Sequence, residues 1–529
     1  MSCRAAAIGF ALVMGACADG GRAKQAQTSP GQPRFRGNDN PAVPQAGILE
    51  LETEVEAELL VEISGGGETW SLARAAATKF REPIVGLKPD TEYTLSAILS
   101  SEEGEVSVGP LAWSTPPLPR SFPPIDVSIS NAAQMEPGLT EFNVWVGGDD
   151  FEVDRAPLVL VDHQGVVRWY YDGYWVFDDH RRLTNGNFLF TPDECVLVEV
   201  DLLGNLVRSW YAANHPAECD VPEGSVPVEI DSIHHEMTML PSGDLLVLST
   251  EGRWVDDFPT SEDDPDAPTE RAYVVGGVIV EFTAAGEIVK RISLLDLLDS
   301  RRIGRESLTA AYPWEVVTYY GERQGVPARD WDHANALVYE ESSDSYYVSL
   351  RHQDAVIKVN RSEESLTWIL GTHSNWRSPW TEKLLSPTGS LEWPYHQHAV
   401  QVTADGIGMY DNGNYRAAAF ETPGTEYSRA VLYAVDEEAM TVEQKWSYGE
   451  PSGEDSFFSS GMGNADWLPA TGNVLLTNAL LATTPFDRLY AQILEVAPDG
   501  TRQFELNVRG KAGSMYVMHR GRRVPDLRQ

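Results

Sequence analysis

The chain has 529 residues, with 40 Lys and Arg against 79 Asp and Glu and a formal net charge of −39. That length accommodates two or more domains around a large core. Such acidity excludes electrostatic binding to nucleic acid or to anionic lipid, so an anionic substrate would need a local cluster of basic side chains.

Residues 1–17, MSCRAAAIGFALVMGAC, place Arg4 ahead of a run of 12 apolar residues. The run is too short to cross a bilayer and reads as an export signal. Its end, Met14-Gly15-Ala16-Cys17, resembles a bacterial lipobox with Cys17 as the lipidated residue; an ordinary signal peptide cleaved nearby is the alternative. The expected location is the periplasm or outer cell envelope, with a lipid anchor as the one membrane attachment. Residues 18–44, rich in Gly, Gln, Ser and Pro, read as a flexible tether. Cys3 leaves with the signal, so Cys195 and Cys219 remain and are expected to form a disulfide in an oxidising compartment. Two free thiols or a metal pair are the alternatives, and no CxxC spacing supports the latter.

Residues 45–114 alternate in short strands and read as a small β-sandwich. Within LKPDTEYTLSAIL, Tyr93 follows a Pro-Asp turn and resembles the tyrosine corner of fibronectin III-like domains. A Pro-rich linker, 115–124, follows. From 125 to 529 the sequence repeats. LTNGNFLFTPD precedes VLVEVDLLGNLVRSWY, LPSGDLLVLSTEG precedes VIVEFTAAGEIVKRI, and three further copies follow the same plan. Each copy holds two hairpins, which is the make-up of a propeller blade. A partial copy at 157–171 brings the count to six, with SMYVMHR at 514–520 as the candidate closing strand; a seventh blade would have to hide in the 297–330 insertion. The predicted fold is therefore all-β: a six-bladed β-propeller after a small fibronectin III-like sandwich. Insertions at 213–231, 252–273, 297–330 and 371–395 carry many aromatics, among them Trp314 and Trp376, and loops of this length are usually functional.

In DWDHANALVYEESSDSYYVSLRHQ, residues 330–353, two alternating runs flank a polar turn, so the segment reads as a hairpin with its turn near residue 342. That register sets His333 opposite Arg351, with Asn335 on the face of His333. Aligned by their turns, His234 of HHEM and His398 of YHQHA fall near the position of His333. Three blades thus begin their innermost strands with His, at one rim of a central channel.

These residues carry a family resemblance. DWDHANALVYEESSDSYYVSLRHQ, YHQHA followed by YDNGNYR, and HHEM together resemble the bacterial PAPS-independent aryl-sulfate sulfotransferases. The resemblance implies that His398 is transiently sulfurylated, that His333 and Asn335 correspond to the HxN pair, and that Arg351 is the following arginine. It assigns His234 or His235 to the HH position. The implied reaction moves a sulfuryl group from an aryl sulfate to a phenol in two steps, with small-molecule partners and no cofactor or metal. The residue chemistry agrees: a neutral imidazole is a competent nucleophile, Arg351 and Asn335 can hold sulfuryl oxygens, and His333 or His234 can move a proton. One rival is a metal-dependent propeller hydrolase, lactonase- or sulfatase-like, with His396 and His398 on one strand face and Glu236 or Asp332 adding oxygen. The other is a non-catalytic surface-binding propeller.

Overall fold

The computed structural model describes residues 32–528 apart from 103, 149–151, 309–313 and 484–487. The signal segment, Cys17 and the first part of the tether lie outside the described residues. Among the described residues no helix is long and apolar enough to cross a membrane.

Order begins earlier than the tether reading allows. Arg34–Gly37 pairs antiparallel with Gly47–Gly65, from Arg34↔Glu50 to Gly37↔Gly47. Phe35 packs edge-on against Trp113 at 5.5 Å, and Arg36 donates to Glu50 at 2.9 Å. Gly and Pro dominate the composition there and hide the two residues that anchor the strand. Sheet I adds Glu68–Ile84, Glu92–Ser101 and Gly104–Ser114 in one five-stranded ladder, with bulges between Glu52 and Leu59. Alternation in Gly47–Gly65 buries Leu59, Val61 and Ile63 on one face. The Tyr93 hydroxyl accepts the Lys88 N–H at 2.8 Å and closes the corner anticipated from LKPDTEY.

Six further sheets follow in chain order. Sheet II joins Leu139–Asn143, Leu158–Val161 and Val167–Tyr171. Sheet III opens with His180–Arg182, sheet IV with His234–Met239, sheet V with Ala334–Glu340, sheet VI with His398–Thr403 and sheet VII with Asn464–Trp467. Val, Ile and Leu fill their middle strands, which are buried on both faces, as in Val196–Val200 and Ala355–Asn360. The outer hairpins of four sheets turn at Gly165, Gly204, Gly286 and Gly500, each with φ between +77° and +88°. A one-residue register shift sits beside each of these turns. Glycine meets that left-handed requirement without steric cost.

Both ends of the repeat region enter this ring. Ile125–Ser130 pairs with Arg502–Val508 on the outer side of sheet VII, and Gly521–Val524 pairs with Leu139–Asn143 in sheet II. The closing strand is thus 521–524. Of the expected 514–520, Met515–Val517 joins sheet VII through Leu489 and pairs with Trp145–Gly147. The sequence SMYVMHR has the more strand-like composition, but GRRV is the segment that reaches the free edge of sheet II. Val43, Ala46, Ile48 and Val85 share a core with Leu139, Leu158 and Trp169, so sheet I docks on sheet II.

The insertions extend or brace the ring. Leu245–Phe258 and Glu270–Phe282 carry sheet IV into a long hairpin. The 297–330 segment forms helix Glu315–Gln324, ended by Gly325 at φ +70°. Cys195 and Cys219 form the disulfide, with Cα atoms 6.1 Å apart, and it ties the 213–231 loop to sheet III.

Candidate active site

The innermost strands of sheets IV, V and VI each break register at their first step: between His234 and Met237, Ala334 and Ala336, and His398 and Val400. Such bulges re-aim side chains at a rim. Positive φ angles accompany them at His235 (+54°), His333 (+45°) and Ala399 (+49°), where side-chain-bearing residues are strained. His234 and His398 are register equivalents, opposite Leu248 and Tyr410. The corresponding residue of sheet V is Ala334, opposite Leu350, so His333 stands one residue ahead of the predicted alignment. The strands differ in length ahead of their turns, with six pairs in sheet V against five in sheet VI and four in sheet IV, and a turn-based count does not see this.

Even so, the three predicted histidines converge. His235 is the hub, with ring centroids 5.2 Å from His234, 5.1 Å from His333, 6.1 Å from His398 and 6.0 Å from His519. Of the two candidates in HHEM, His234 is fully buried and His235 is the more open. His398 lies 5.0 Å from His519, and His333 lies 4.8 Å from His352. Trp314, at the start of the inserted helix, packs at 4.6 Å from His234 and 4.8 Å from His333.

Hydrogen bonds set the imidazole tautomers. His398 Nδ1 lies 2.7 Å from the Gly463 carbonyl, so it carries the proton and donates. Nε2 then keeps its lone pair, and it has no hydrogen-bond partner among the described residues. Burial, then the Arg520 charge, pushes the His398 pKa well below the usual imidazole value. Burial likewise pushes His234 down to about 3. His333 Nδ1 sits 2.6 Å from the Asp330 carboxylate, an arrangement that orients the ring.

Arg351 begins a 3-10 turn, Arg351–Gln353, and its N–H donates to the His333 carbonyl at 3.3 Å, which sets the two residues opposite each other as the hairpin register implied. Its Nη1 pairs with Glu306, and its Nη2 reaches the Ser460 carbonyl at 3.4 Å. Asn335 differs from expectation. It is the bulged residue, and its Nδ2 donates to the Gln397 carbonyl at 2.9 Å, tying sheets V and VI together. One of the two N–H groups predicted for substrate is therefore spent on the scaffold.

Sequence reasoning missed Arg520, His519, His352 and Glu306. Arg520 donates to Glu236 at 2.5 Å and to the Asn335 carbonyl at 3.0 Å, and lies 3.5 Å from Asp179. A signal existed: His519-Arg520 repeats the His180-Arg181 that opens sheet III. The chelate suggested by His396-x-His398 does not form. His396 has φ +52° and turns to Asp354 at 3.0 Å, because the strand starts only at His398 and alternation does not extend back to residue 396. Glu236 is committed to arginines, and Asp332 accepts the Gly277 N–H at 3.0 Å. Asp330, His333 and His352 do bring ligand-type atoms within 4.8 Å of one another, as do Cys195, His215 and Cys219, whose cysteines are bonded to each other.

Strands enclosing a cluster of buried and half-buried imidazoles, with two buried guanidiniums beside it, define an all-β protein with a site suited to an anionic group. The chain belongs to the arylsulfotransferase (ASST) family, whose profile matches residues 126–519. It is 26% identical over 344 residues to arylsulfate sulfotransferase AssT of Escherichia coli O6:H1 (strain CFT073), covering 58% of this chain and 54% of that protein. It is 25% identical over 364 residues to AssT of Lelliottia amnigena, covering 60% and 57%. The matches thus span little more than half the length of either relative. Among solved structures, the periplasmic gluconolactonase PpgL of Pseudomonas aeruginosa overlaps with a TM-score of 0.32 at 12% identity, covering 87% of this chain and 99% of that one. BamB of Moraxella catarrhalis overlaps with a TM-score of 0.26 at 11% identity, covering 78% and 91%. At these scores neither overlap bears on the argument.

Proposed function

We propose that the protein transfers a sulfuryl group from an aryl sulfate to a phenolic acceptor by a ping-pong route through His398, without PAPS. The observation that carries this reading is the Nδ1 donation from His398 to Gly463, which leaves a neutral Nε2 lone pair in the midst of the imidazole cluster. In the first step Nε2 attacks sulfur, the S–O(aryl) bond breaks, and the phenolate leaves with the bonding pair. His333, oriented by Asp330, gives the departing oxygen a proton. In the second step the acceptor phenol yields its proton to His333 and attacks the sulfuryl-histidine, restoring His398. Arg351, through Nη2 and Nε, holds the sulfuryl oxygens. The six sheets II–VII are read as the six blades of a propeller, and sheet I, with its Tyr93 corner, as a fibronectin III-like module. Export to the cell envelope on a Cys17 lipid anchor completes the proposal.

The test is stopped-flow phenol release from an activated aryl sulfate, without acceptor or nucleotide, after exhaustive chelation. About one phenol per site should appear, followed by a stall that a second phenol relieves. His398→Asn should abolish both phases. A full burst in that variant, or a label found on another residue, defeats the assignment.

A further inference from the structure

The guanidinium given to the sulfuryl group does not meet the channel as a bare cation. Glu306 arrives from the 297–330 insertion with φ +68° and is 5% exposed. Its Oε2 pairs with Arg351 Nη1, and its Oε1 accepts the Tyr415 hydroxyl at 3.2 Å. The Nε2 atoms of His352 and His396 lie 3.7 and 3.9 Å from Oε2. The backbone around it is fixed as well: the Glu306 N–H donates to Glu262 at 3.0 Å, and Arg305 pairs with Asp263 at 2.6 Å. Burial would raise the Glu306 pKa, but neighbouring positive charge, first that of Arg351, outweighs it and holds the group at about 2. Arg351 therefore faces the channel with one full negative charge already upon it. The second buried cation is matched too, since Arg520 contacts both Glu236 and Asp179.

We propose that Glu306 makes the site selective for singly charged sulfuryl esters against doubly charged phosphoryl esters. This rests on the assignment of Arg351 to the sulfuryl oxygens made above. An aryl sulfate and an aryl phosphate present the same tetrahedral shape and similar acceptor oxygens, so contacts to Arg351 alone separate them poorly. Charge does separate them: the sulfate ester is a monoanion, whereas a phosphate monoester, with a second pKa of about 6, is close to a dianion at neutral pH. Among side chains this buried from water, a fixed carboxylate beside the anion site penalises the second negative charge far more than bulk water would. The device works by repulsion, the usual way of rejecting an isostere that attractive contacts accept.

The experiment compares the binding of phenyl sulfate and phenyl phosphate by calorimetry, using full-length protein with His398→Asn so that neither ligand reacts. Phenyl sulfate is expected to bind more tightly at pH 7.5, and the preference should shrink about tenfold as the phosphate becomes a monoanion near pH 5.5. Glu306→Gln should tighten phenyl phosphate at pH 7.5 by about tenfold or more while changing phenyl sulfate much less, and Glu306→Asp should keep the original preference. Arg351, Tyr415, His352, His396, Glu262 and Arg305 surround Glu306 and act on both ligands, so the ratio of affinities isolates the ester's own charge. A ratio that does not move with pH, or a glutamine variant that weakens both ligands equally, overturns the proposal. If the glutamine variant fails to fold, the pH series on the parent protein decides. Preserved selectivity together with no phenol release from the protein bearing His398 would overturn the transfer reading and leave this one standing.

Discussion

At Arg351 the chemistry depends on the shape of a side chain as much as on its charge. One nitrogen is held by Glu306, so only a planar group with a second donor edge can also reach a sulfuryl oxygen. Arg351→Lys keeps the cation for Glu306 and loses the fork. Transfer should fall by about tenfold or more, with the denaturation midpoint little changed, because the buried carboxylate remains paired. A lysine variant with full transfer rate would show that Arg351 serves the scaffold alone. His398 supports a second expectation. Burial and Arg520 depress its pKa, so the neutral nucleophile persists to lower pH than a free imidazole would allow. With 4-nitrophenyl sulfate, whose phenolate leaves without protonation, the acid limb of the burst rate should lie below the ordinary imidazole value of about 6.5. A limb at that value would mean the imidazole is not desolvated. Both residues were visible in the sequence: Arg351 because His, Asn and Arg at the end of a hairpin is an arrangement that core packing does not call for, and His398 because it opens a repeat as His234 does. Their partners Glu306 and Arg520 were not. Glu306 lies in an insertion with no repeat to mark it, and Arg520 carried only the faint signal of a His-Arg pair repeated from His180-Arg181.

Among the elements, the repeats were readable because most outer hairpins turn on Asp or Gly between alternating apolar strands. Bulges and unequal strand lengths were not, and His333 falls one residue off the predicted alignment. Insertions were the least readable part. The 297–330 segment gave no periodic pattern, yet it supplies Glu306 and Trp314. The contact between sheets I and II was equally hidden, and it turns on one carboxylate. Glu68 of sheet I receives Arg168 at 2.9 Å, Arg528 at 2.8 Å and Lys88 at 3.2 Å. The hydrogen bond from Arg168 is the main cause that lowers its pKa from 4.5 to about 2. A folded-state pKa below the unfolded value means that the stabilisation is present above about pH 4.5 and is lost as pH falls through about 2. The shift corresponds to roughly 3 kcal/mol, reduced somewhat by the partial exposure of Glu68. Glu68→Gln should therefore cost about 2 kcal/mol at neutral pH and almost nothing near pH 2. Urea unfolding at both pH values measures it, and an equal loss at the two would point to packing in place of charge.

For the molecule as a whole, stability depends on closing a ring whose two ends are far apart in sequence. Gly521–Val524 covers the free edge of Leu139–Asn143, while Ile125–Ser130 covers Arg502–Val508 on the outside of sheet VII. An uncovered edge would expose unpaired backbone groups and invite association with another chain. The closing strand also carries charge to buried partners. Arg523 donates to Glu495 at 2.6 Å and Arg522 to Asp179 at 2.7 Å, and both carboxylates are fully buried. Deleting residues 521–529 would strip those partners and the ladder together. Glu495 left without its arginine costs about 3 kcal/mol, whereas Asp179 keeps Arg181 at 2.8 Å, and the lost ladder adds to the cost, so the total is a large part of the whole stability of a typical domain. The truncated protein should thus lose cooperative urea unfolding by circular dichroism and associate in solution, as measured by light scattering. Arg523→Met, which removes one ion pair and leaves the strand, should lower the midpoint while the protein stays monodisperse. If the truncated chain instead unfolds cooperatively at the midpoint of the intact protein, ring closure by this strand contributes nothing, and the ends are held by Ile125–Ser130 and Met515–Val517 alone.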